Sequence, residues 1–156
     1  MNPSRRTTLQ LASGAGLYAA LLSIGLLEPG RASAAEFDRA AFNTKGVADT
    51  LKALGVAEPA QSADVVITSP DIAENGAVVP VAIRSKLAKT DRLALLVDKN
   101  PNGLAAAYDL LEGAAPEVSM RIKMGESSDV VALVRADGKY YMARKEIKVT
   151  LGGCGG

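Results

Sequence analysis

Residues 129–148 read DVVALVRADGKYYMARKEIK, and this stretch determines the fold class. Two strand patterns, 129–136 and 139–148, flank the dipeptide Asp137-Gly138. An Asp-Gly pair between two strand patterns is typical of a tight β-hairpin, because both turn positions favour residues that tolerate positive φ. The sequence therefore predicts a long antiparallel hairpin in its last quarter.

A second clear strand pattern covers 118–124. Its apolar residues alternate with polar ones at a period of two, as expected for a strand with one buried face. We expect Met120 and Met124 to lie in the core. Arg121 and Lys123 are expected to form a solvated basic face.

Three further runs, at 64–68, 79–83 and 92–97, are short, apolar and bounded by turn residues. Pro80 lies inside the second run. Because proline cannot donate to a strand ladder, it predicts that this strand lies at a sheet edge or at a bulge.

One short helix is predicted at 45–54, where Val47, Leu51 and Leu54 recur at helical spacing and Gly55 can end the last turn. One helix with six or seven short strands and frequent turns favours a mainly β fold, an antiparallel sandwich of two sheets.

The composition restricts the chemistry available to the chain. It has 156 residues, one cysteine, no histidine and a formal net charge of +1. The length favours one domain. The missing histidine removes the usual general base and the commonest metal ligand, and one cysteine forms neither an internal disulfide nor a structural zinc site. We expect no catalytic residue, no resident cofactor or metal, and no nucleic-acid partner.

Residues 1–34 have the pattern of a bacterial export signal. Arg5-Arg6 precede an apolar run at 17–27, and a small-residue cleavage site follows at 32–34. The arginine pair indicates the twin-arginine (Tat) route. The alternative, a membrane anchor, needs about 20 apolar residues, roughly twice this run. We therefore predict a periplasmic protein without an anchor.

Cleavage after residue 34 would leave a nearly neutral chain. Basic residues would fall from 18 to 15 and acidic residues from 17 to 16, for a net charge of −1. In the oxidising periplasm an unpaired thiol is a liability unless it has a function.

That thiol lies in an unusual setting, Gly152-Gly153-Cys154-Gly155-Gly156. Glycine gives the backbone its widest freedom and adds no side chain, while ordering such a segment costs entropy. From Val149, six residues give Cys154 a reach of up to roughly 20 Å. We predict a flexible arm at 149–156, following a sandwich domain at 35–148, which presents a nucleophilic sulfur to the active sites of other proteins.

Other interpretations of this tail remain open at the level of the residues. One interpretation is that the cysteine has no function, and another is that it forms an intermolecular disulfide. A Gly-Gly terminus activated with ATP in the cytosol conflicts with the export signal, and no prenylation box is present. A thiol enzyme acting alone would lack a histidine partner.

The tail, together with segments 70–76, 79–81, 99–101 and 137–141, resembles the SoxY family, the substrate carriers of the periplasmic Sox sulfur-oxidation system. The resemblance covers essentially the whole chain after residue 34. It implies an immunoglobulin-like β-sandwich, no enzymatic activity of its own, and covalent sulfur attachment at Cys154.

The resemblance also implies partners. A SoxZ-like subunit would form a heterodimer with the chain, the SoxXA cytochrome would load Cys154, and the dimanganese hydrolase SoxB would release sulfate. In some organisms SoxCD oxidises the remaining sulfur. The alternative is a SoxY-like carrier or binding module of another periplasmic oxidation system.

Two residue pairs on the last strand pattern invite functional readings. Tyr140 and Tyr141 are consecutive and must face opposite sides of a strand, so we expect one in the core and the other at a partner interface. Arg144-Lys145 are candidates for docking anionic partners near the tail.

Overall fold

The computed structural model describes residues 39–150, so the predicted signal at 1–34 and the residues beyond Thr150 lie outside the described part. A 3-10 helix, Arg39–Asn43, precedes helix α1, Gly46–Ala53. Nine strands follow: β1 Ala60–Gln61, β2 Val65–Thr68, β3 Ile72–Ala73, β4 Val79–Ser85, β5 Thr90–Val97, β6 Leu104–Asp109, β7 Glu117–Ile122, β8 Ser128–Ala136 and β9 Lys139–Val149.

The predicted hairpin is confirmed as β8–β9, which pair from Ala136↔Lys139 to Ser128↔Ile147. Asp137 and Gly138 have φ of 50° and 74°. Two consecutive positive φ angles are those of a type I′ turn, whose twist matches that of the strands it joins.

The hairpin forms the centre of a large sheet with strand order β1-β9-β8-β5-β6. Strands β5, β6, β8 and β9 pair antiparallel. The two-residue strands β1 and β3 add parallel ladders to β9, with β1 near its start and β3 at its end.

A small sheet, β2-β4-β7, packs against the large one. The core between them contains alternate residues of both sheets, among them Ile83, Leu95 and Ile147, all fully buried. Met124 is buried and Met120 packs at the edge of this core, as predicted. Arg121 and Lys123 are exposed, also as predicted.

A second apolar cluster covers the outer face of the large sheet. The 3-10 helix and α1 pack Ala41 and Val47 against Leu96, Leu104 and Val131. The predicted helix is confirmed, and Gly55, at φ 70°, follows its last residues while Val56 N–H returns to Leu51 O at 2.9 Å. This 6→1 bond is that of a Schellman ending.

The two consecutive tyrosines at the start of β9 are both partly buried, and the expectation that one of them contacts a partner stays a prediction. They face opposite sides of β9, and both pack against the fold. Tyr141 contacts the core between the sheets, and Tyr140 contacts the helix-side cluster.

Pro80 also corrects the sequence analysis, because β4 is the central strand of its sheet. The ladder with β2 starts only at Ala82↔Thr68, whereas the ladder with β7 includes Pro80↔Arg121. Pro80 therefore needs no donor towards β2, since β2 does not extend alongside it.

The predicted mainly β, immunoglobulin-like sandwich with one short helix is confirmed, with nine strands in residues 39–150 instead of six or seven. The strands not predicted were β1, β3 and β6. Within residues 39–150, no helix has the length and apolarity that crossing a bilayer would require.

Candidate functional site at the base of the C-terminal arm

The predicted site residues Gly152, Gly153, Cys154, Gly155 and Gly156 lie outside the described residues. The structure describes the point from which they start. Val149, where the sequence analysis began the arm, is the last residue of β9, and Thr150 still bonds to the fold. We call the contacts that fix these two residues the arm base.

One side of the arm base is the parallel ladder with β3, in register Ile72↔Lys148 and Ala73↔Val149. Lys148 N–H donates to Asp71 O at 2.9 Å, and Thr150 N–H donates to Ala73 O at 3.1 Å. Each backbone donor on this side of the strand end is therefore satisfied, which holds the strand end in one direction.

The other side of the arm base is a side chain. The β8–β9 ladder ends at Ser128↔Ile147, so Val149 has no β8 residue opposite it on this side. Instead Val149 N–H donates to Ser127 Oγ at 2.9 Å. The serine hydroxyl thus takes the place of a ladder partner, and the end of the strand, residues 148–150, is bonded on both edges.

Gly76 lies in the loop between β3 and β4, next to the arm base. Its carbonyl accepts from Met124 N–H at 2.7 Å. A Cβ built on Gly76 would collide with Met124 O and would lie 2.9 Å from Val149 Cγ1. Only glycine permits this close approach of the loop to Met124 and Val149.

Lys145 fixes the segment that leads into β3. Its Nζ donates to Ser69 O at 2.7 Å and lies 3.0 Å from Asp71 Oδ1. Arg144 in turn pairs with Asp129 at 2.8 Å. The two cations proposed for docking anionic partners are therefore engaged within the fold, and Lys145 has a structural role at the arm base.

The residues with clearly shifted pKa values lie at the opposite end of the sandwich. Hydrogen bonds from Arg92 lower the pKa of Asp109, and a hydrogen bond from Lys89 lowers the pKa of Asp137 in the hairpin turn. Among residues 39–150 there is no cluster of three or more potential metal-ligating side chains. The described fold thus supplies an anchor for the arm at one end and places these ion pairs at the other.

Comparison with known families is decisive for identity. The model of the family described as sulfur oxidation protein SoxY matches residues 51–154, two thirds of the chain. The chain belongs to the SoxY family. The match runs from the end of α1 to residue 154, so its span contains the arm base and the position of the predicted carrier residue.

One solved structure agrees with SoxY membership, and a second shares the fold. The sulfur carrier protein SoxY from Chlorobium limicola f thiosulfatophilum is 35% identical, with a TM-score of 0.60, over 66% of this chain and 94% of that chain. A superoxide reductase (neelaredoxin) variant from Ignicoccus hospitalis has a TM-score of 0.50 at 18% identity, over 56% of this chain and 83% of that one. The latter likeness concerns the fold alone. No curated protein sequence matches the chain.

Sequence reasoning missed the residues of the arm base. Segment 70–76 was singled out only as SoxY-like, and no pattern indicated that it forms a ladder with β9. Ser127 and Gly76 gave no signal of their own, because their roles depend on which segments meet at the end of the sandwich.

Proposed function

We propose that the chain is a periplasmic sulfur carrier of Sox thiosulfate oxidation, which holds reaction intermediates covalently on Cys154. Membership of the SoxY family supports this role, as does the likeness to a protein described as a sulfur carrier. The arm base is the structural observation that carries the proposal. It fixes the end of β9 and the following residue, Thr150, which lies only four residues before Cys154.

Four extended residues span roughly 14 Å. A thiol on such an arm can enter a channel in another protein while the sandwich stays outside. The flanking Gly152, Gly153, Gly155 and Gly156 add no side chains to obstruct that entry. Anchoring the base of the arm limits the volume within which the thiol moves. The effective concentration of the thiol at the active site of a docked enzyme is therefore higher.

The proposed chemistry starts with oxidative coupling. The Cys154 thiolate forms a sulfur–sulfur bond to the outer sulfur of thiosulfate, giving Cys–S–S–SO₃⁻, and two electrons pass to the haem of the SoxXA cytochrome. Water then attacks the sulfonate sulfur in SoxB. Sulfate leaves, and Cys154 remains as the persulfide Cys–S–SH, which SoxCD oxidises where it is present.

This division of labour makes the chain a substrate carrier and its partners the enzymes. A nucleophilic thiolate suits exchange at sulfur centres, and no general base within the chain is required. Export by the Tat route would place the carrier in the periplasm, and a SoxZ-like subunit would complete a heterodimer.

Peptide mapping tests the proposal. The tryptic peptide that follows Lys148 contains Cys154. From protein isolated during thiosulfate oxidation, we expect this peptide to carry sulfur-containing adducts that a thiol reductant removes. Reconstituted oxidation should stop with Cys154→Ser.

The control is the same peptide from cells grown without a reduced sulfur compound, which should be unmodified. A Cys154 peptide found only as free thiol or as a disulfide to another chain, under active thiosulfate oxidation, would refute the carrier role.

A further inference from the structure

The two faces of the sandwich differ in how they are covered. The 3-10 helix and α1 bury the outer face of the large sheet. The outer face of the small sheet has no such layer within residues 39–150. Its outward residues are those that alternate with the core positions of β2, β4 and β7, namely Val66, Thr68, Pro80, Ala82, Arg84, Glu117, Ser119 and Arg121.

The centre of this outer face is shallow because its side chains are short. Ala82 lies between Thr68 and Ser119 in the registers of the two ladders. Pro70 and Pro80 border the depression, which has a volume of about 470 Å³. A strand face meant only for water typically carries longer polar side chains, whereas this one presents small side chains and two proline rings.

The charges on this face are arranged unevenly. At one end Arg84 is neutralised by Glu117, opposite it in the ladder. At the other end Arg121 and Lys123 are exposed, and neither forms an ion pair within the described part of the chain. Among the outward strand residues and Lys123, the positive charge without an ion-pair partner thus lies at the Arg121 end of the face.

We propose that this face, hereafter the β2-β4-β7 face, binds a second protein whose surface is apolar at its centre and carries carboxylates opposite Arg121 and Lys123. A second copy of this chain fits less well. The sole carboxylate among the outward residues of the three strands is Glu117, which Arg84 already occupies, so two such faces cannot neutralise each other.

The position of the β2-β4-β7 face connects it to the arm base. Val78 is 49% exposed and precedes the first pair of the β4–β7 ladder, Val79↔Ile122, while Lys123 follows it. One step further along, Met124 N–H donates to Gly76 O, and Gly76 lies against the side chain of Val149. A protein bound to this face therefore lies beside the point where the arm leaves the fold.

Binding of the SoxZ-like subunit tests the proposal. Only the choice of this subunit as the probe rests on the proposed function. The mature chain in a Cys154→Ser background is titrated with the purified subunit, so that the measurement is independent of sulfur chemistry. We expect Ala82→Arg to abolish binding, and Arg121→Glu with Lys123→Glu to weaken it about tenfold or more. Added salt should weaken the parent complex more than that of the charge-reversed variant.

The matched control is Lys45→Glu with Lys52→Glu, two exposed cations on the helix side, which should leave the affinity unchanged. Thermal unfolding of each variant verifies that it is folded. The proposal is overturned if the parent chain does not bind the subunit, if both double variants lose affinity equally, or if Ala82→Arg acts only by dissociating a homodimer. None of these results bears on whether Cys154 carries sulfur, which peptide mapping decides separately.

Discussion

At the scale of single residues, Gly76 is a position where the fold leaves no room for a side chain. The main-chain carbonyl of Met124 and the side chain of Val149 occupy the space that a Cβ would need. We expect Gly76→Ala to lower the free energy of unfolding by about 1–3 kcal/mol, because backbone atoms at this contact must shift. Urea denaturation measures the change.

Gly125 provides the matched control for Gly76. A Cβ there would have no neighbour within 4 Å. Gly125→Ala should change the free energy of unfolding by at most about 0.5 kcal/mol. Equal destabilisation by the two substitutions would show that replacing a loop glycine is enough to cause the effect, and that the contact of Gly76 with Met124 and Val149 does not determine it.

Asp109 predicts a pH dependence of stability. Its carboxylate accepts from Arg92 Nε at 2.6 Å and from Nη2 at 2.9 Å, and these bonds lower its pKa in the folded state. A lowered folded pKa stabilises the fold above the unfolded-state pKa, and this stabilisation is lost as the pH falls through the folded pKa. Because the pair is partly exposed, solvent screening limits its contribution to about 1 kcal/mol or less.

Thermal unfolding of Asp109→Asn across pH tests this. The variant should be less stable than the parent at neutral pH, and the difference should shrink as the pH falls below the carboxyl range. Glu112→Gln, an exposed carboxylate with no ion pair in residues 39–150, is the control. A difference that is independent of pH would contradict the assigned role of the Arg92 pair.

At the scale of elements, the arm base depends on a strand of two residues. Strand β3 pairs only with β9, so its position relies on side chains such as Lys145 that hold the preceding loop. We expect Lys145→Met to loosen β3 with little effect on the core. Hydrogen exchange at the amides of Lys148 and Thr150 should accelerate several-fold, because both donate to this segment.

The amide of Val149 gives an internal reference for this experiment, since it donates to Ser127 and not to β3. It should keep most of its protection in Lys145→Met and lose it in Ser127→Ala. Equal acceleration of all three amides in either variant would indicate general fraying of β9 and contradict the two-sided anchor.

The elements also show how far the sequence determines the fold. Asp137-Gly138 fixed the hairpin because a type I′ turn demands residues that tolerate positive φ, and the alternation at 118–124 revealed one buried face. Strand β6 reads LAAAYD, and alanine has no preference for strands, so its pairing with β5 determines its conformation. The two residues of β3 are too few for any periodicity.

Pro80 illustrates a limit of local rules. The absence of a donor led to the prediction of an edge strand or a bulge, and the structure instead places Pro80 in a central strand. Whether the strand itself lies at an edge depends on where β2 ends, which is a property of the neighbouring strand. In the same way the glycines around Cys154 indicate the proposed carrier site in the sequence, whereas the roles of Gly76 and Ser127 depend on separate segments that meet in the fold.

At the scale of the whole molecule, the proposed function separates a rigid sandwich from a short glycine-rich arm. Deleting Gly152-Gly153 removes two residues of reach, roughly 7 Å. We expect the deletion variant to fold like the parent and retain a reactive thiol, yet to lose most of its turnover in reconstituted thiosulfate oxidation. Replacing the two glycines by Ser-Ser, which preserves the length, should retain considerably more.

The rate at which each variant reacts with a small disulfide reagent measures the reactivity of the thiol independently of the length of the arm. The account requires similar reactivity in both variants and a difference only with partner enzymes. Full turnover by the shortened arm would mean that the distance from Thr150 to Cys154 does not matter.

The most direct test of the account is the intact mass of the exported chain during a pulse of thiosulfate whose outer sulfur carries a heavy isotope. We expect the heavy sulfur to appear on the protein, to remain after sulfate release, to disappear on reduction and to be absent from Cys154→Ser. Thiosulfate oxidation at full rate with no labelled sulfur on the chain, or with the same label on Cys154→Ser, would contradict the central claim.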